Sequence, residues 1–169
     1  MPRPQQGDYG NFYQRYIDYA IGSNINEAIS FHSAAINDFI NTLPEAKADY
    51  KYAPEKWTVK DVLQHLIDAE RIFVYRALTF ARKDKTALPG FEENDYAASV
   101  DSTLRTLQSL KDEFAATRKS TDIFLSTLTE EELIQIGSAN NHFITVNAIA
   151  FIVIGHILHH KKVLEERYL

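Results

Sequence analysis

Apolar side chains recur at every third or fourth position in four long stretches of the chain. This spacing places them on one face of an α-helix and predicts four amphipathic helices. Helix-capping and helix-breaking residues mark the ends of these helices. The N-cap of the first helix is either Ser23 or Asn24, that of the second is Thr58, and Pro44 ends the first helix. The predicted helices span approximately residues 24–43, 58–82, 95–128 (or 100–128) and 145–167.

The predicted connections between these helices are long and polar. Residues 44–57 link the first two helices, residues 83–94 contain the turn-forming pair Pro89 and Gly90, and residues 137–143 are predicted to be a loop. Thr129, followed by three glutamates, predicts a short extra helix before the last one. No segment shows the clean alternation of a half-buried strand. The fold class is therefore all-α, a four-helix bundle that need not follow a simple up-down order.

The first 22 residues form a different kind of segment. Prolines, glycines and tyrosines predict an irregular N-terminal arm with one helical turn within residues 11–19, held on the bundle by Phe12, Tyr16 and Tyr19. A chain of 169 residues suits one domain, so we expect residues 1–169 to fold as a single unit that includes this arm.

Composition removes several classes of function. The chain has no cysteine, which excludes disulfides, zinc–thiolate sites and a cysteine nucleophile. A net charge of −5 and the lack of a lysine or arginine stripe argue against nucleic-acid binding. The longest apolar run, residues 148–154, is too short to cross a membrane, and the start of the chain lacks the apolar run of a signal peptide. We expect a cytoplasmic protein.

Four of the six histidines lie within apolar helical stripes, and three of these four could bind one metal ion. His156 and His160 are four residues apart on one face of the last helix, and His65 lies between Val62 and Ala69 on the second. Each could instead be a core histidine hydrogen-bonded to a neighbour. However, burying three imidazoles without partners costs about 1–3 kcal/mol each, and a shared divalent metal removes that cost. Three protein nitrogens would leave a coordination position open, as in catalytic sites.

Other polar residues could assist such a site. His159 is expected at the rim of the last helix, and Asp61 and Asp68 lie one turn on either side of His65, where each could orient an imidazole or relay a proton. Helix-dipole and surface roles explain the two aspartates equally well. His32 or a carboxylate could complete the coordination, although a packed core position suits His32 better. His142 is expected in solvent, and Glu70 and Arg71 in surface or inter-helix ion pairs.

Three segments resemble the DinB-like superfamily of metalloenzymes: KWTVKDVLQHLIDAERIFVYRAL (Lys56 to Leu78), LPGF (Leu88 to Phe91) and GHILHH (Gly155 to His160). The resemblance extends over most of residues 24–169. It implies a four-helix bundle, a nickel or zinc ion held by His65, His156 and His160, and a homodimer. Some related proteins are transferases or isomerases that use a low-molecular-weight thiol. The family name records induction by DNA damage in one member and does not imply DNA binding.

The leading hypothesis is thus a metal-dependent enzyme, either a hydrolase or a thiol-dependent transferase, acting on a small molecule. A non-enzymatic metal- or ligand-binding bundle of the stress response is the alternative. A purely structural bundle with packed histidines is a third. The sequence does not identify the substrate.

Overall fold

The computed structural model describes all residues, 1–169. Its helices and strands are α1 (Gln14–Tyr19), α2 (Ile25–Thr42), α3 (Val59–Ala81), α4 (Glu93–Ser99), α5 (Leu107–Thr127), α6 (Glu130–Leu133), β1 (Ile136–Ala139), β2 (His142–Thr145) and α7 (Val146–Arg167). The long helices α2, α3, α5 and α7 form the bundle, which confirms the all-α class. None of the helices combines the length and hydrophobicity needed to cross a bilayer.

Local capping fixes where the bundle helices begin. The side chains of Asn24, Thr58 and Thr145 accept hydrogen bonds from backbone N–H groups in the first turns of α2, α3 and α7. At Thr58 the contact is reciprocal, because the carboxylate of Asp61 accepts a hydrogen bond from the Thr58 N–H. The predicted starts of these three helices are confirmed.

The four bundle helices are not arranged in sequence order around the ring. α3 packs against α5 and α7, and α2 packs against the same two helices. The consecutive helices α2 and α3 are therefore diagonal to each other, and the segment 43–58 crosses one end of the bundle to join them. The long connections make this order possible, as a two-residue link would join only neighbours. It brings α3 and α7, which carry the candidate metal ligands, into direct contact.

The N-terminal arm packs closely against α7. It contains a 3₁₀ turn at Asn11–Tyr13 followed by α1, so the predicted helical turn is present. A Cβ atom at Gly155 would lie 1.8 Å from the carbonyl oxygen of Tyr16, so only glycine allows this approach. Every residue of α7 from Val146 to Ile157 is consequently buried. The arm covers the side of α7 that faces away from the bundle.

The third bundle helix begins later than predicted. α5 starts at Leu107, and the segment before it contains the separate helix α4 and a 3₁₀ turn at Ser102–Leu104. The Asp101 side chain accepts a hydrogen bond from the Thr103 N–H, which stabilises this turn. Thr106 is the N-cap of α5. Leu104, which helical periodicity through residues 100–128 would place on the buried face, is 83% exposed. Local capping has overridden the apolar periodicity here.

The segment predicted as a loop at residues 137–143 is a β-hairpin. β1 and β2 pair antiparallel, from Ile136 opposite Thr145 to Ala139 opposite His142. Asn140 and Asn141 form the turn with positive φ angles of 51° and 62°, the conformation of a type I′ turn. Asparagine tolerates this conformation better than most residues, so the Asn-Asn pair was the missed signal. Four-residue strands are too short to show a clear alternation.

Candidate metal centre

The structure brings His65, His156 and His160 together at the contact between α3 and α7. Their possible ligand nitrogens all lie within 4.8 Å of one another. Nε2 of His65 and Nε2 of His156 are 3.1 Å apart. Two nitrogens bound tetrahedrally to one zinc ion lie about 3.3 Å apart, since each is 2.0–2.1 Å from the metal. The spacing of this pair therefore matches that of two ligands of one divalent ion, and His160 is close enough to supply a third.

All three imidazoles are held in the neutral form that binds metals. Burial lowers the pKa of His65 to about 4. Burial and the neighbouring imidazoles of His65 and His159 lower the pKa of His160 to about 3. The pKa of His156 is also well below 6.5, first through burial and then through the other three histidines. Near pH 7 this cluster therefore carries lone pairs and little charge.

The cluster lies in an open cavity of about 340 Å³ that could admit a small molecule. Six aromatic side chains contribute to its wall: Phe12, Tyr13, Tyr16, Trp57, Phe73 and Phe91. The polar lining, besides the three clustered histidines, consists of Arg76, Glu93, Asn140 and His159. The cavity therefore combines a strongly ligating group with a lining of aromatic and polar side chains.

The N-terminal arm contributes part of this wall, which sequence analysis did not anticipate. The ring of Tyr16 lies 5.4 Å from the ring of His156 and 5.6 Å from that of His159, between ring centroids. The close approach at Gly155 fixes this position. A glycine beside a predicted ligand on an otherwise apolar helix was the available signal. Arg76 was also missed, although it lies eleven residues after His65, three turns along the same helix face.

The other proposed residues lie in different environments. His159 is half-buried at the cavity, as expected for the rim. Asp61 accepts hydrogen bonds from Thr58 and Ser102, and Asp68 accepts one from Gln64, so neither carboxylate is hydrogen-bonded to an imidazole. The expected orienting role of Asp61 and Asp68 is not seen in these contacts.

Neither remaining histidine lies among the cavity-lining residues. His32 accepts a hydrogen bond from the Ile21 N–H, at 3.1 Å, and is partly buried. That placement favours a satisfied packing role over a fourth ligand. His142 is exposed on β2, with its ring against Phe12.

Acid is expected to destabilise the metal-free protein below pH 6.5. The folded pKa values of His65 and His160 lie below the unfolded value of 6.5, so between pH 6.5 and about 4 the unfolded chain binds protons that the folded chain does not. The free energy of unfolding is highest above this window, and within it falls by about 1.4 kcal/mol for each such histidine as the pH is lowered by one unit. Urea unfolding across this range measures the slope. His65→Gln should have a shallower slope, and equal slopes would contradict the assignment.

Comparison with known proteins agrees with this architecture. The chain is similar to the solved structure of YfiT from Bacillus subtilis, with 17% sequence identity, a TM-score of 0.71, and coverage of 96% of this chain and 89% of that chain. YfiT is described as a probable metal-dependent hydrolase with an unusual four-helix bundle topology. At this identity the likeness concerns the fold. No curated protein matches the sequence significantly. The model of the DinB superfamily matches residues 28–164, and the chain therefore belongs to the DinB superfamily.

Proposed function

We propose that this protein is a metal-dependent hydrolase of a small molecule and that His65, His156 and His160 bind its metal ion. The observation that carries the proposal is the convergence of three neutral imidazoles, within 4.8 Å, on an open cavity. A purely structural role would leave three desolvated imidazoles with few partners beyond one another. The description of YfiT as a probable metal-dependent hydrolase supports the same reading.

The donor set limits the metal to those that accept imidazole. Nickel and zinc both do so, whereas magnesium and calcium prefer oxygen ligands. When bound to three histidines, such an ion supplies Lewis acidity and lowers the pKa of coordinated water to about 7. The cavity above the cluster leaves room for water and a substrate.

Among the polar groups near the cluster, His159 is best placed to move a proton. It lines the cavity beside His160, with 5.1 Å between the ring centroids. Burial and the charges of Arg15 and Lys162 lower the pKa of His159, which keeps this half-buried imidazole able to accept a proton near pH 7. We prefer it to Asp61 and Asp68, whose carboxylates are engaged by Thr58, Ser102 and Gln64.

Thiol-dependent transfer is the second candidate, and the presence of a second cavity favours it. This cavity, of about 290 Å³, shares Trp57, Glu93, His159 and His160 with the first and continues to Tyr168. Two ligands could therefore approach the same histidines from different sides. A two-substrate reaction between a low-molecular-weight thiol and a small electrophile needs such an arrangement, whereas hydrolysis needs only one organic ligand.

Metal removal tests the proposed function. Purified protein is expected to contain close to one nickel or zinc ion per chain, and to hydrolyse members of an ester and amide panel. Dialysis against a chelator should abolish turnover, and restoring the metal should recover it. Elemental analysis and the same panel measured with and without thiol give the readouts. Activity that needs thiol would select transfer over hydrolysis. Absence of metal under all loading conditions would overturn both.

A further inference from the structure

One buried cation in the cavity wall has no counter-ion. Arg76, on α3, is only 5% exposed and lines the cavity above the three histidines. Its Nη2 donates to the carbonyl oxygen of Pro89, at 2.8 Å, and the phenol of Tyr13 is a second polar partner of the guanidinium. A guanidinium has five N–H donors, so these contacts leave much of its hydrogen-bonding capacity unused.

Each of the other three buried cations has either a carboxylate partner or two backbone acceptors. Arg118 contacts two carboxylates, and Lys60 lies 2.7 Å from the carboxylate of Asp49. Lys111 donates to two backbone carbonyls, at 3.0 and 2.6 Å. Arg76 alone among these four borders a cavity that can admit a ligand. The only acid in that cavity, Glu93, is exposed at its rim and makes no ion pair with Arg76.

The position of Arg76 relative to the histidines defines the shape of a suitable ligand. Eleven residues of α-helix separate it from His65, which puts their Cα atoms about 16 Å apart along one helix face. Side chains on a helix point back toward its N-terminus, so the guanidinium extends from Arg76 toward the histidines. The ring of Phe73 lies between, 5.8 Å from Arg76 Cζ and 5.8 Å from the ring of His156.

We infer that Arg76 binds the carboxylate of the substrate and that the protein acts on small, singly charged carboxylates with an apolar body. This inference deepens the proposed function and rests on it for the reaction. The planar guanidinium fork matches a carboxylate, and the rings of Phe73 and Phe91 flank it. At the Arg76 end of the cavity, away from the proposed metal ion, one positive charge balances one negative charge, whereas a phosphate dianion would remain partly unpaired there. The aromatic wall would suit a cationic ligand, but the buried guanidinium repels one.

Trp57 provides a direct measurement of binding, because it is the only tryptophan and lies in the cavity wall, 4.9 Å from the ring of His65. Wild-type protein is titrated with benzoate and with its neutral analogue benzamide, and the fluorescence of Trp57 is followed. Benzoate is expected to bind about tenfold to a hundredfold more tightly, the range of a charge-assisted hydrogen-bonded pair. Metal-free and zinc-loaded protein are compared, since a metal ion also attracts carboxylates.

Variants identify the group that makes the difference. In the metal-free protein, Arg76→Gln is expected to lower the affinity for benzoate to that for benzamide. Arg76→Lys is expected to recover part of the preference for benzoate. Arg71 is an exposed arginine on the same helix, and the Arg71→Gln variant should retain the preference for benzoate over benzamide. Equal binding of benzoate and benzamide to wild type would overturn the inference without any variant. A preference that survives Arg76→Gln in folded, metal-free protein would also overturn it. Since metal content is measured separately, failure of the metal site and failure of the Arg76 site are distinguishable.

Discussion

His65→Ala and His156→Ala are each expected to lower the affinity for zinc or nickel by at least about a hundredfold. Losing only an outer partner of a metal ligand costs about ten- to a hundredfold, and losing the ligand itself costs more. Each change removes one of three imidazoles whose nitrogens lie within 4.8 Å, and the remaining pair is too few for a stable site. Competition with a chromophoric chelator measures the affinity, and turnover should fall with it.

Other histidines provide matched controls for this prediction. His142→Ala removes an exposed imidazole, and His32→Ala removes one bonded to the Ile21 N–H, so both should bind metal as wild type does. His159→Ala should also keep the metal but lose turnover, if that imidazole moves a proton. Urea unfolding of the metal-free variants separates loss of a ligand from loss of the fold. Unchanged affinity in both His65→Ala and His156→Ala would contradict the site.

Helical phase explains why these residues could be chosen from the sequence. An apolar stripe fixes which side of a helix faces the core, so it separates His156 and His160 from His159 without any knowledge of the other helices. Caps are equally local, and Thr58 and Thr145 start helices for reasons contained within four residues. What joined His65 to the last helix was the expectation that buried imidazoles share a partner, together with the family resemblance.

Features that depend on packing between distant segments were not accessible in this way. The approach of Tyr16 to Gly155 joins residues far apart in the chain, and no local pattern specifies it. The diagonal placement of α2 and α3 is set by which helix faces fit together rather than by either helix alone. The sequence places Arg76 on the same face of α3 as His65. Its lack of a counter-ion is visible only when the surrounding side chains are in place.

Glu70 was predicted to form a surface or inter-helix ion pair, and in the structure it forms a buried inter-helix pair with Arg118. Glu70 on α3 is 2% exposed and Arg118 on α5 is 0% exposed, with Nη1 3.1 Å from Oε1. This contact lacks the geometry of a well-formed hydrogen bond, so the attraction is mainly Coulombic. Arg118 also contacts Asp122, one turn along its own helix. Removing one partner leaves the other charge without compensation in the core.

Arg118→Ala is therefore expected to lower the free energy of unfolding by about 3–5 kcal/mol at pH 7, the cost of breaking a buried pair. Burial raises the pKa of Glu70, and the Arg118 charge opposes that rise, so the variant should lose less stability in mild acid, where Glu70 can bind a proton. Urea unfolding at pH 5 and pH 7 measures both effects.

The exposed pair of Arg71 and Glu113 is the control, because Arg71→Ala should cost no more than about 1 kcal/mol. Replacing both buried partners, as Glu70→Leu with Arg118→Met, should recover most of the loss, since neither charge then remains in the core. Equal losses for Arg118→Ala and Arg71→Ala would show that the buried pair contributes no more than a surface contact.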